Sequence, residues 1–315
     1  MGRFLVRRLA FLGLTLLVTS LVIFLITRWL PGDVARVILG REAGEAALAR
    51  LRAELGLDQP LLIQYARWLT GFARGDWGTS YSTGQALRPL VVERLGSSVR
   101  LAALTLLIAV PAAMSLGVIA GVYRDRAVDH AISLAALAVV GLPEFVTGLL
   151  LIQLFAFKLH WLPASASMAP DTTFQAALPQ LVLPALTATL VLMAYIARLT
   201  RAGVIEELSQ AYVRTAVLKG LPWPTVLARH VLRNALRPTI TVVAISLGWL
   251  ISGLVVVENV FNYPGLGRLL IFAIDRRDIP LLQAVTLIAV VVYAVANLAA
   301  DLLYAWLDPR IRLGS

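Results

Sequence analysis

The sequence predicts an all-α membrane protein with six transmembrane helices and both termini on the cytoplasmic side. The first observation is composition: of 315 residues, 59% are hydrophobic and 15% are charged, whereas a soluble chain is roughly 45–50% apolar and 25% charged. The second is a series of long apolar runs, and the third is an uneven distribution of arginine between the segments that connect them. The excess of apolar side chains is therefore expected to face lipid.

Six runs of about 20 apolar residues mark the predicted spans, because a helix of this length crosses the hydrocarbon core of a bilayer. The third run is long and contains Pro143, which predicts a kink or a tilt. Arginines precede the first run as in a signal peptide, but no A-x-A-like site follows it, so we expect an uncleaved span. The runs cover residues 9–27, 101–123, 131–157, 178–197, 239–257 and 281–300.

The basic residues beside the spans predict the orientation of the chain, because cytoplasmic loops carry more Lys and Arg than short external ones. On this rule the N-terminal tail, the loop after the second span, the segment 198–237 and the C-terminal tail face the cytoplasm. The net charge of +10 is then explained mainly by the basic residues that set the orientation of the chain in the membrane. We predict a lipid membrane as partner and no nucleic acid.

The predicted organisation has three parts: a tail with the first span (1–30), an external segment (31–98), and a core of five spans (99–312). The external segment contains an amphipathic helix with one apolar face. That face lies in the membrane interface or helps to form a docking platform for an external partner, and the sequence leaves both open. Its apolar positions are Leu61, Tyr65, Trp68, Leu69 and Phe72.

Several kinds of chemistry are excluded by what the sequence lacks. It has no cysteine, so thiolate metal sites and cysteine nucleophiles are absent. Neither lysine, Lys158 nor Lys219, follows a glycine, so the G-x-x-x-x-G-K-[ST] loop that binds ATP is absent. The histidines are far apart and no H-E-x-x-H occurs. We expect no enzyme activity, no metal and no cofactor in this chain.

Glu144 is the candidate functional charge within the spans. It follows Pro143, which frees a backbone carbonyl of the preceding turn. An acid at this depth faces the bundle interior or a water-filled path, where it attracts a cationic group of a substrate or pairs with a structural partner. One carboxylate gives little support to the alternative function, an ion-coupled secondary transporter, because that class needs coupling sites near the midplane. The other candidate pathway residues are Ser246, Trp249 and Glu258.

The longest basic segment, between the fourth and fifth spans, predicts a cytoplasmic hairpin of two short helices. The first helix is expected to run from Glu206 to Lys219 and to end at Gly220 in the left-handed conformation. The second is expected to begin near Pro224, with Thr225 as a possible N-cap, and to end at Pro238. Such a hairpin binds anionic lipid or acts as a rigid bracket.

Motifs along nearly the whole chain resemble the permease subunits of type I ABC importers, in the dipeptide, oligopeptide and nickel branch. Each motif is weak alone, and their order and spacing make the resemblance specific. In the family's EAA-loop pattern Ala216, Gly220 and Leu232 match. Arg214, Thr215, His230 and Arg233 depart from it in the form usual for this branch. The motifs are PGD at 31–33, LGLDQPLLIQYARWL at 55–69, GDWGTSY at 75–81, YVRTAVLKGL with RHVLRNAL at 212–236, VVVENVFNYPGLGRLL at 255–270 and DLLYAWLDPRIR at 301–312.

The resemblance implies the type I importer permease fold and a transport subunit without its own ATP site. The implied partners are a second homologous permease, two ATPases that bind ATP and Mg, and an external substrate-binding protein. The implied setting is the inner membrane of a bacterium or archaeon, and the implied cargo is di- or oligopeptides or a related solute such as a nickel complex or glutathione. The hairpin at 206–238 would couple the subunit to the ATPases through Tyr212, Arg214, Thr215, Ala216, Lys219, Gly220, Leu221 and His230.

Overall fold

The structure, a computed structural model, describes residues 2–29, 36, 39, 43–54, 56–168 and 172–307. Within them the regular structure is helical, apart from an isolated bridge between Thr79 and Ala86, which confirms the all-α class. The described residues fall into two compact units, Met1–Ser98 with Pro264–Val295 and Val99–Tyr263 with Ala296–Ser315. The first unit thus contains a C-terminal segment that the predicted division assigns to the core.

Twelve α-helices of six residues or more are described, numbered here in chain order. They are α1 (Gly2–Trp29), α2 (Glu45–Glu54), α3 (Leu61–Ala73), α4 (Leu87–Val122), α5 (Ala127–Gly141), α6 (Glu144–Leu151), α7 (Phe174–Leu208), α8 (Ala211–Leu218), α9 (Leu232–Gly253), α10 (Val255–Val260), α11 (Leu266–Asp275) and α12 (Ile279–Leu307). The π-helical segment Ile152–Lys158 continues α6, and a second one, Val226–Val231, follows the single turn Trp223–Thr225 and leads into α9.

In the part of the chain that the structure describes, four helices are long and apolar enough to cross a membrane, or five spans if a bent pair counts as one. The four are Val6–Trp29, Leu87–Val122, Gln175–Leu208 and Ile279–Leu302, and the pair is Ala127–Gly141 with Glu144–Lys158. Helix α9 overlaps the predicted fifth span, but several of its side chains lie outside the described residues. The count of six therefore stays a prediction.

The predicted kink in the third span is confirmed as a full break of 107° between α5 and α6. Leu142 is extended (φ −96°, ψ 135°) and Pro143 precedes the first residue of α6. The cause is steric, because the proline ring disfavours the α conformation at the residue before it. Pro143 therefore begins a new helix rather than bending a continuous one.

Glycines bring the helices of the second unit into backbone contact. A Cβ atom on Gly117 would lie 2.6 Å from the carbonyl oxygen of Ala197, and one on Gly121 would lie 2.7 Å from the Val204 side chain. Gly203 of α7 meets the backbone of α9 in the same way. The two glycines of the GVIAG sequence in α4 thus permit close packing on α7 of the same chain.

In the first unit, the aromatic face of α3 packs on α1. The ring of Phe24 lies 5.5 Å from that of Tyr65 and 5.9 Å from that of Trp68. Phe72 stacks on Trp77 at 4.8 Å. Most of the predicted amphipathic face is therefore used inside this unit, while Leu61 at the start of α3 stays exposed.

Asp278, before α12, holds the loop between α3 and α4. Its carboxylate accepts from the hydroxyl of Ser80 at 2.5 Å, from the hydroxyl of Ser82 at 2.8 Å and from the backbone N–H of Ser82 at 3.0 Å. The backbone N–H of Tyr81 donates to the same carboxylate at 3.2 Å. Because Asp278 is fully buried, these donors replace water around its charge.

Candidate functional site: the hairpin at 206–238

The first arm of the hairpin is shorter than predicted. Helix α7 continues to Leu208, and α8 begins at Ala211, so the expected helix from Glu206 to Lys219 is wrong. The Ser209 hydroxyl donates to the carbonyl oxygen of Glu206 at 2.7 Å, a local bond that competes with the helical pattern. Gln210 is extended (φ −69°, ψ 144°) and starts α8 in a new direction.

The turn of the hairpin is the predicted glycine turn. Gly220 has φ 75°, in the left-handed region. Its N–H donates to the carbonyl oxygen of Val217 at 2.9 Å, and the N–H of Leu221 donates to that of Ala216 at 3.3 Å. These two bonds form a Schellman motif, which satisfies carbonyls at the end of α8. The prediction for Gly220 is confirmed.

The second arm begins near Pro224, as predicted, but it ends differently. Pro224 lies within the first turn, Trp223–Thr225, and Pro222 rather than Thr225 occupies the N-cap position. After the π-helical segment, α9 passes through Pro238 without ending. The arm is therefore continuous with the whole of α9, Leu232–Gly253.

A buried apolar cluster fixes the hairpin to the ends of the neighbouring helices. Ala216 is only 6% exposed and faces this cluster, and its contact with a partner stays a prediction. The buried members are Val204, Val213, Ala216, Val226, Val231 and Ala235, and Val118, Val122 and Leu208 pack against them. Both arms thus rest on α4 and α7.

The outer surface of the hairpin is apolar at its tip and basic around it. Leu218 is 81% exposed. Arg214, Thr215, Lys219 and Gly220 are exposed as well. The other exposed apolar side chains are Tyr212, Val217, Leu221 and Trp223. A concentrated apolar patch with a polar rim is typical of a protein-binding surface.

Tyr212 connects the two arms through its hydroxyl. The hydroxyl donates to the Glu207 carboxylate and accepts from Asn234 Nδ2 at 3.0 Å. Asn234 Nδ2 also donates to the carbonyl oxygen of His230 at 3.4 Å. Partial burial, and next the bond to Glu207, raise the pKa of Tyr212 above its ordinary value. Tyr212 and His230 thus stabilise the hairpin, in addition to any contact with a partner.

An ion pair at the base of the hairpin was missed by the sequence analysis. Asp129 of α5 is 1% exposed, and its oxygens accept from Arg201 Nε at 2.5 Å and Nη2 at 2.6 Å. The N–H of Asp125 also donates to Asp129, at 2.9 Å. Arg201 lies on α7, one turn before the hairpin. Because Asp129 and Arg201 are 72 residues apart, the sequence does not show that they pair. The only sign of the ion pair in the sequence is the position of Asp129 beside an apolar run.

The candidate pathway residues lie on three helices. Glu144, the first residue of α6, is half-buried and makes no hydrogen bond or ion pair with another described residue. Glu258 is fully buried on α10. The Ser246 hydroxyl donates to the carbonyl oxygen of Val242 at 2.8 Å, within its own helix. The side chain of Trp249, the PGD motif at 31–33 and the residues after 307 lie outside the described residues.

Helices α6 and α10 pack closely, because a Cβ atom on Gly148 would lie 3.2 Å from the ring of Phe261. Glu144 and Glu258 are therefore on adjacent helices. The described residues contain no group of three His, Asp or Glu side chains that could hold a metal ion. The hairpin itself presents an exposed apolar tip above a buried base.

Comparison with known proteins shows the family of this chain. Residues 113–313 match the family described as "Binding-protein-dependent transport system inner membrane component", and residues 1–116 match the N-terminal model of such membrane components. A probable peptide ABC transporter permease of Sinorhizobium fredii is 38% identical over 99% of this chain and 100% of its own length. The glutathione transport system permease GsiC is also 38% identical, over 99% of both chains, in Salmonella paratyphi A and in Escherichia coli K12.

Proposed function

From the premise that this chain belongs to the family of inner membrane components of binding-protein-dependent transport systems, we propose that it forms half of a pathway for peptides or related small solutes. Membership makes it a non-enzymatic permease subunit with the type I importer fold, placed as a multi-pass protein in the inner membrane. ATP hydrolysis belongs to separate subunits, and substrate reaches the permease on a binding protein.

The second half of the pathway in this proposal is a homologous permease subunit. The cargo follows from the relatives, which are named for peptide and for glutathione transport. Di- and oligopeptides and glutathione share an α-ammonium group. Glu144 fits this class of cargo because it is half-buried and has no partner among the described side chains.

The single observation that supports the coupling role is an exposed apolar tip above a buried apolar cluster, with the two arms joined by the hydrogen bonds of Tyr212. Leu218, Val217 and Trp223 face outward, while Val213 and Ala216 anchor α8 from beneath. A surface of this kind transmits force because it cannot move without its base. In the proposal, the partner ATPases bind ATP and Mg and dock on this tip.

A cross-linking experiment tests the docking. Because the chain has no cysteine, an introduced cysteine is the only one in it that can form a disulfide. Leu218→Cys is expected to form a disulfide with single cysteines placed on the ATPase surface, at a yield that changes with ATP. Leu62→Cys, an exposed leucine on α3, is the matched control and should form none. Absence of any product from Leu218→Cys would contradict the hairpin as the docking element.

Uptake into proteoliposomes tests the transport function. Vesicles with the chain, a companion permease, the ATPases and the binding protein should accumulate labelled peptide or glutathione only with ATP. Uptake by this chain alone, driven by a proton or sodium gradient, would instead support the ion-coupled alternative. Accumulation of neither solute class would reject the proposed cargo while leaving the docking result intact.

A further inference from the structure

The first unit contains a cavity of about 320 Å³ to which the proposed function assigns no role. It lies between the end of α1, the helix α3, the loop before α4 and the start of α12. Its polar lining includes Arg28, Gln64, Arg67, Asp76 and Tyr81, and two indole rings, Trp68 and Trp77, complete the wall.

Arg28 is a partly buried charge that pairs with none of the described carboxylates. Its guanidinium donates to Gln64 Oε1 and lies over the ring of Phe24, 5.4 Å from the centroid. Among the described residues no carboxylate forms an ion pair with it. Asp76, the acid in the cavity lining, instead accepts from the N–H of Gly78 at 3.1 Å. Because a desolvated charge is costly unless it is paired, the cavity favours an anion.

Two further donors are available in the same cavity. Burial raises the pKa of the Tyr81 phenol, and the nearby positive charge of Arg28 opposes that rise, so the phenol keeps its proton and can donate it in a hydrogen bond. Arg67 adds a second guanidinium to the lining. Asp278 holds the loop that carries Tyr81 through four hydrogen bonds. The site is therefore built in advance of any ligand.

The position of the cavity indicates the source of the anion. Arg28 is the penultimate residue of the apolar span Val6–Trp29, and Trp29 beside it is 83% exposed. Trp and Arg at the end of a span lie at the level of the lipid headgroups. Leu61 and Leu62, in the turn of α3 that precedes the lining residue Gln64, are exposed and provide an apolar surface for an acyl chain.

We propose that Arg28, Tyr81 and Arg67 bind the phosphate of a phospholipid from the leaflet in which α1 ends. Arg28 supplies the pairing charge, Tyr81 donates a hydrogen bond, and α3 contacts the acyl chain. The lipid then fills a cavity between α1, α3 and α12 and ties the first span to the external segment. This binding needs no ATP and no transport, so it stands apart from the proposed function.

Native mass spectrometry of the importer released from membranes tests the site. The wild-type complex is expected to retain one phospholipid per copy of this chain at activation energies that strip other lipids. Arg28→Gln should reduce that retained fraction at least about tenfold, since a charge-assisted contact is lost, and Arg28→Lys should restore part of it. Arg74→Gln, an exposed arginine just after α3 that does not line the cavity, is the matched control and should behave as wild type.

Two outcomes would overturn the proposal. One is equal lipid retention by wild type and Arg28→Gln. The other is stabilisation of the complex by inorganic phosphate as large as that by dihexanoyl phosphatidylglycerol in a thermal-shift assay, which would show a site for a free anion. If Arg28→Gln does not fold, Tyr81→Phe replaces it, with a smaller but measurable loss expected and unchanged retention counting against the site.

Discussion

Asp129 and Ala216 illustrate at the scale of single residues how packing assigns roles that residue type does not. Aspartate is a residue type usually found at protein surfaces, yet Asp129 is buried and accepts two hydrogen bonds from Arg201. Ala216 matches a coupling motif, yet it faces the cluster beneath the hairpin. Both assignments depend on contacts between distant parts of the chain, which no local pattern in the sequence contains.

Asp129→Asn is expected to lower the free energy of unfolding by about 3 kcal/mol, because it leaves the Arg201 guanidinium partly buried without its partner. The double variant Asp129→Asn/Arg201→Leu should lose less than the sum of the two single losses. Thermal unfolding of the purified chain in detergent measures this. Arg198→Gln, an exposed arginine on the same helix, should stay within about 0.5 kcal/mol of wild type. Strict additivity would refute the pairing.

Ala216→Asp and Thr215→Asp place the same charge at a buried and at an exposed position of α8. At Ala216 the carboxylate enters an apolar cluster, so the hairpin should loosen and become susceptible to limited proteolysis. At the exposed Thr215 the fold should be intact, and only binding of the ATPases should weaken. Proteolysis and co-purification are the two measurements. Similar protease resistance of both variants would place Ala216 outside the buried cluster.

At the scale of elements, the helix ends set by a glycine or a proline with a strong conformational preference could be predicted, and the ends set by weaker local bonds or by packing could not. The Gly220 turn was predicted because glycine adopts positive φ without strain, and the break at Pro143 followed from the proline. The break after Leu208 depends on a serine hydroxyl and an extended Gln210, which are weak signals. The passage of α9 through Pro238 shows the reverse, since packing of the helix on α7 outweighs the lost hydrogen bond.

Gly220→Val should uncouple the importer without unfolding it. No atom lies within 4 Å of a Cβ at this position, so the cost is the left-handed conformation alone, about 1–2 kcal/mol. We expect the turn to change shape, with less substrate moved per ATP hydrolysed. Gly220→Asn is the control, because Asn tolerates positive φ and should keep most of the coupling. Equal coupling in the two variants would show that the turn conformation is not required.

At the scale of the whole molecule, the all-α class and the position of the hairpin could be predicted because apolar runs and charge asymmetry are spread along the chain. The grouping of Pro264–Val295 with the N-terminal residues could not. That grouping is set by contacts such as those of Asp278 with the loop at Ser80, which join segments 198 residues apart. The candidate pathway residues could be predicted in part. The sequence identified Glu144 from its position within an apolar run, whereas only the structure shows which helices surround it.

Glu144→Gln tests whether the path uses this carboxylate. Glu144 begins α6 at the 107° break, and among the described residues it has no partner whose loss would destabilise the fold. Removal of its charge should therefore lower uptake of a peptide with a free α-ammonium group by roughly tenfold, the scale of one charge-assisted contact. ATPase activity stimulated by the loaded binding protein should stay near wild type, as should uptake in Glu93→Gln, an exposed carboxylate on α4. Loss of assembly in Glu144→Gln would mean instead that the carboxylate pairs with a group on a companion subunit, and unchanged uptake would remove it from the path.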